Sequence, residues 1–192
     1  NQSAMDWRQG DCVLGPLPFV HMQSLGTTSE QPEVPIEHCA GLVVMSQSCD
    51  IAGAPEDYPY LEVAPLVQVD ETTLAEVKAR RRPQYAFVPG LAHLSLVADL
   101  GRVMSVRKQV IAALPRTIGC SDDQDRRKFA RAIAHKFARF AFPDDFIAMV
   151  APLRKRLIKR HGKDSDEGKA VTSLHEIRVR AAPSWDDSSV QV

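Results

Sequence analysis

The sequence lacks any hydrophobic run near the roughly 18–20 residues that a membrane-crossing helix requires, so no membrane partner is expected. It has no paired CxxC cysteines, no internal repeat and no low-complexity tract. Those gaps leave out zinc ribbons, solenoids and prion-like segments. P-loop, GxGxxG, HExxH and GxSxG motifs are missing as well, and with them the common routes to a bound nucleotide cofactor or catalytic metal. No cofactor and no metal are expected. Residues 1–10 carry neither a basic start nor an apolar stretch, which points to a cytoplasmic chain. Met5 reads as the natural start, residues 1–4 as the remnant of a cleaved tag, and the end at Val192 as a truncation.

What remains is an ordinary globular composition. The chain has 192 residues, 44% of them hydrophobic and 25% charged, enough for one substantial domain or two small lobes. The four cysteines, Cys12, Cys39, Cys49 and Cys120, are scattered and read as reduced, mostly buried thiols. The formal net charge is zero, yet the signs are sorted along the chain: residues 1–70 hold ten acids and one base, whereas residues 101–163 hold sixteen bases and five acids. Two outcomes follow. Either the halves dock on each other, or the basic segment meets an anionic partner such as nucleic acid.

The first hundred residues read as short strands with long connections. Asp11-Cys12-Val13-Leu14 lies between Gly10 and Gly15-Pro16, and Gly41-Leu42-Val43-Val44-Met45-Ser46 is an uninterrupted apolar run of the kind that is buried on both faces. A strand over residues 60–64 stops at Pro65. Asp70-Glu71-Thr72-Thr73 caps a helix over 74–81, strands follow at 84–88 and 94–98 around the Pro89-Gly90 turn, and a short helix is expected over 105–114. Ser121 opens a capping box for a helix over about 122–141, with Phe129, Ile133 and Phe137 inward. Arg127, Arg131 and Arg139 wind along its other side. A second amphipathic helix follows with Phe146, Val150, Leu153 and Leu157 inward and Pro152 as a kink. Residues 162–168 read as a charged linker and 174–181 as a strand. The fold class is therefore α+β: an N-terminal antiparallel barrel-like sheet, a helical pair, and a C-terminal strand or hairpin at 172–192.

Gly10-Asp11-Cys12-Val13, Leu42-Val43-Val44-Met45-Ser46, Val63-Ala64-Pro65-Leu66 and the Asp99-Leu100 segment occur in an order and spacing that resemble the PemK/MazF family of bacterial toxins over about residues 10–108. The resemblance implies an SH3-like, PemK-like barrel domain at 5–118, with 119–192 as a helical lobe outside it. It also implies a toxin–antitoxin or phage-defence setting in bacteria and RNA as the partner, cut by a metal-independent endoribonuclease. Active members of that family place an arginine just before the central strand and a threonine directly after Pro-Leu. Here those places are held by His38-Cys39-Ala40 and Val67, so any cleavage has to draw its cation and proton donor from elsewhere.

The replacements considered are Ser46, Cys49 and Asp50, concentrated where a rigid strand ends, with Arg102 as the cation. Cys49 reads either as a nucleophile beside Asp50 or as a small hydrophobe at a turn whose backbone Ser48 and Asp50 hold. His38 and Cys39 point to opposite faces of a strand and do not make a shared ligand pair. For nucleic-acid binding the candidates are Arg127, Arg131 and Arg139, together with Arg154, Lys155, Arg156, Lys159 and Arg160. The aromatics near these lie on apolar stripes, which suggests phosphate contact without base reading. Two further readings stand beside this one: a non-catalytic adaptor that docks a protein partner, and a Cys49-dependent enzyme.

Overall fold

The computed structural model describes residues 6–22, 34–138, 142–174, 177 and 179. Its elements, in chain order, are β1 (Cys12–Val20), β2 (Ile36–Val44), α1 (Ser48–Ala52), β3 (Tyr60–Gln68), α2 (Glu71–Lys78), β4 (Tyr85–Phe87), a 3-10 turn (Pro89–Leu94), β5 (Leu96–Asp99), β6 (Met104–Arg107), α3 (Lys108–Ala112), α4 (Asp123–Phe137), α5 (Asp144–Arg160) and α6 (Asp166–Ser173). The α+β class holds: a six-stranded antiparallel sheet is flanked by helices. The strand path runs β1-β2-β3-β5-β4, with β6 added to β3, and does not close on itself.

The gap at the end of this path is spanned by residues 117–119. Thr117 exchanges backbone hydrogen bonds with Cys12 at 2.7 and 2.8 Å, while the Gly90 N–H donates to the Gly119 carbonyl at 2.8 Å. The backbones approach so closely that a Cβ on Gly119 would collide with the Gly10 carbonyl. Gly10 itself adopts φ +87°, and a Cβ there would come within 2.5 Å of Cys120 Sγ. Glycine is the residue that fits both places.

Burial follows the sequence pattern in β2. Val43 joins a core cluster with Leu66, Leu91, Ala98 and Phe129, whereas Leu42 and Val44 face a second cluster with Trp7, Phe19, Ile51 and Ile111. Both faces of the strand are dry, as the unbroken apolar run dictates. A third cluster of Leu74, Val77 and Val97 seats α2 on the sheet.

Several expected boundaries move. β3 runs through Pro65 to Gln68. Met45 N–H donates to the Glu62 carbonyl, and the alternation of antiparallel ladders then turns the donorless nitrogen of Pro65 away from β2. On that other side β3 changes partner from β6 (through Val63) to β5 (from Leu66), so no ladder bond is demanded of the proline. The helix expected over 105–114 is a strand followed by a five-residue helix, because residues 104–107 alternate in burial and pair with 60–63. The helix expected at 74–81 occupies 71–78, starting directly at the Asp70 cap. The cap of α4 is Asp122 rather than Ser121: its carboxylate accepts from Asp125 N at 2.8 Å. Phe137, expected inward, is 56% exposed, and so is Leu153 at 53%. Part of the supposed linker forms the start of α6, capped by Ser165. The C-terminal strand or hairpin falls almost wholly outside the described residues, and residues 172 and 173 belong to α6.

The chain separates into two compact units, 1–139 and 140–192. α4 belongs to the first, where Phe129 is buried in the sheet's core cluster. In the second, α5 has Phe146, Val150 and Leu157 half-buried, while no residue of the helix is fully buried.

Candidate functional site

The polar cluster at the end of β2 lines a broad, open hollow of about 850 Å³ with Gln9, Glu62 and one face of α4. Ser46 Oγ donates to Glu62 Oε2 at 2.6 Å and accepts from Glu62 N at 2.9 Å. Gln9 ties the same corner, donating from Nε2 to the Met45 carbonyl and from its backbone to Ser48 Oγ. α1 is held from behind by Lys108, whose side chain is fully buried and whose Nζ donates to the Asp50 and Gly53 carbonyls at 2.6 and 2.8 Å. A buried ammonium on the last carbonyls of a short helix fixes that end in place.

The structure thus brings Ser46, Cys49 and Asp50 to one hollow. Cys49 is exposed, with Gln47 Oε1 and Asp50 Oδ1 at 3.7 and 3.6 Å from its sulfur. No Lys, Arg or His is among the described residues that line the hollow. Phosphodiester cleavage and thiolate chemistry both draw on a nearby cation or base, and the lining supplies acids and amides. Arg102 is not part of it. Its guanidinium donates to Asp99 at 2.8 Å and to Glu37 at 2.7 Å and packs over the Phe19 ring. That pairing ties the turn before β6 to β2.

A second concavity, of about 530 Å³, lies between α2, β4 and α4. Lys78, Arg80 and Arg82 come from α2 and the residues after it; Lys128, Arg131 and His135 come from α4; Tyr85 and Phe87 line it from β4. Asp125 is the one acid among the described residues that line it. Arg82 pairs with Glu76 at 2.6 Å, Lys128 stands 3.7 Å from Asp125, and Lys78 Nζ lies 5.1 Å from the Phe87 ring centre. Arg80 and Arg131 are exposed and have no ion-pair partner among the described residues.

The local sequence explains the geometry. α2 ends in a turn in which Arg80 N–H bonds the Val77 carbonyl and Arg81 N–H bonds that of Glu76, both at 2.9 Å. This is the Schellman arrangement, whose left-handed residue is usually glycine; here it is Arg80, at φ +59°. Tyr85 and Phe87 are two apart on β4 and so share a face, while Ala86 between them is fully buried. Of the cations expected to bind nucleic acid, Arg131 is in this groove; Arg127 is exposed on α4 outside its lining, and Arg139 lies outside the described residues. In the other unit, Arg156 and Arg160 both pair with Glu167, at 2.7 and 3.0 Å. The Arg156 guanidinium bonded to Glu167 holds that carboxyl below its ordinary range. Arg154, Lys155 and Lys159 are exposed on α5.

Sequence reasoning missed Lys78, Arg80, Arg82, Tyr85, Phe87 and Lys128. The signal was present in the run Arg80-Arg81-Arg82-Pro83-Gln84-Tyr85, three consecutive arginines leading into an aromatic strand.

No family model matches the chain, and no curated protein is significantly similar to it.

Proposed function

We propose that this protein binds nucleic acid through the groove between α2, β4 and α4. The observation that carries the proposal is the convergence of five Lys and Arg side chains on one concavity lined, among the described residues, by two aromatic rings and a single acid. Clustered cations reward phosphates, and aromatic rings reward bases. The open six-stranded sheet, with residues 117–119 across its gap, is read as a PemK-like barrel opened along one seam, which is consistent with a nucleic-acid partner. The function proposed is binding rather than cleavage, because the hollow holding Ser46, Cys49 and Asp50 offers no cation for a developing phosphorane.

Fluorescence anisotropy with a labelled mixed-sequence oligonucleotide tests this. Binding should weaken steeply with added salt, and Lys128→Glu with Arg131→Glu should weaken it at least tenfold at low salt. A flat salt response, or unchanged binding by the double variant, removes the groove as a nucleic-acid site.

A further inference from the structure

We infer that the groove is a subsite for one nucleoside phosphate unit, with the base stacked on Tyr85 and its phosphate held by Arg80 and Arg131. This deepens the nucleic-acid reading above and rests on it. Three observations lead there. The volume of about 530 Å³ falls in the range of small-ligand pockets, about 300–1,000 Å³, and is far too small to admit a duplex. Within it, Phe87 already carries Lys78 against its ring at 5.1 Å, which leaves Tyr85, on the same face of β4 and half-buried with one part of its side chain against the Leu74–Val77–Val97 cluster, as the platform for a planar base. Arg80 then holds a left-handed backbone, φ +59°, at a position where glycine would relieve the strain. Strain of this kind persists at sites where a side chain is needed, and the groove is what the Arg80 side chain lines.

The same chemistry could arrive as a free nucleotide or as an unpaired nucleotide of a single strand. A duplex, whose base faces are covered by their neighbours, would engage the cations alone. Titration calorimetry with ATP and with inorganic tripolyphosphate, both without metal, measures what the base adds. Anisotropy with a single-stranded decamer and its blunt duplex separates the two sources.

ATP is expected to bind at least tenfold tighter than tripolyphosphate. Tyr85→Leu should erase that difference, and Tyr85→Phe, which keeps the ring, should retain it. Arg80→Gly should weaken ATP binding several-fold while raising the thermal midpoint, a combination that loss of folding cannot produce. A single strand that binds tightly while ATP does not would assign the site to strands, provided Tyr85→Leu removes the preference over duplex. Equal binding of ATP and tripolyphosphate, together with equal binding of single strand and duplex, overturns the stacking site but leaves the nucleic-acid reading standing. Absence of binding by every probe overturns both.

Discussion

At the residue scale, Lys108, Arg80 and the cysteine thiols state what holds this molecule and what strains it. Lys108 is the only fully buried cation among the described residues, and it satisfies two helix-end carbonyls. Lys108→Ala should therefore cost about 2–4 kcal/mol in urea unfolding, since a fully buried side chain is removed and both carbonyls lose their donor. Lys108→Met keeps the packing and should lose less. Arg80 works in the opposite sense. Replacing it with glycine should raise stability by about 0.5–1 kcal/mol, because the left-handed backbone no longer carries a Cβ. The thiols divide by burial. Cys49 is exposed, whereas Cys12 and Cys120 are buried, and burial pushes the Cys12 thiol well up and that of Cys120 up to about 12. Iodoacetamide at neutral pH followed by peptide mass mapping should modify Cys49 in the native protein and the other two only after unfolding. Rapid native labelling of Cys120 would contradict the packed seam at Gly10.

At the scale of elements, what was legible in the sequence were the features decided by a few neighbouring residues. Asp70, the first residue of the run expected to cap α2, accepts from Thr73 N at 2.7 Å, and the apolar run of β2 is buried on both faces. What misled were elements decided by a distant partner. Residues 104–107 become a strand because residues 60–63 offer an edge, and Pro65 is tolerated because β3 changes partner there. The cap also predicts a pH dependence. The hydrogen bond from Thr73 lowers the Asp70 carboxyl below its ordinary value of 3.8, so its stabilisation is fully present above that value and is lost as pH falls through the lower folded value. The stability difference between the protein and Asp70→Asn should accordingly shrink in urea melts as pH drops below 3.8. Asp11 contributes with the opposite sign. Burial raises its carboxyl above 3.8, so the cost of its charge is present at neutral pH and is relieved on acidification.

At the scale of the whole molecule, the sorted charges are partly spent within the fold. Arg102 reaches back to Glu37, and Arg116 reaches back to Asp11 at 3.7 Å and to the Asp6 carbonyl, so acidic front and basic middle do dock at these points. Arg131 of the groove is among the cations that this docking leaves over, as are Arg127 on α4 and Arg154, Lys155 and Lys159 on α5. All three core clusters lie within residues 7–133, and the expected consequence is that a chain of residues 1–139 unfolds cooperatively and keeps groove binding. Charge reversal of Arg154, Lys155 and Lys159 on α5 should leave nucleotide binding by the groove within twofold of the starting value in the same calorimetric titration. Loss of binding in either protein would move the site to the second unit.

The sequence alone determined the α+β class, the capped start of α4 within a residue, the doubly buried central strand and the cationic side of α4, because each is written in spacings of one to four residues. It also placed Ser46, Cys49 and Asp50 together, as neighbours on one strand end must be. Only the tertiary structure decided that Arg102 is tied up by two carboxylates, that the sheet stays open along one seam, and that Arg80 and Tyr85 line one groove with Arg131. Those residues are about fifty apart in the chain, and what brings them together is the packing of α2 and α4 on either side of β4, a long-range arrangement that no local periodicity encodes.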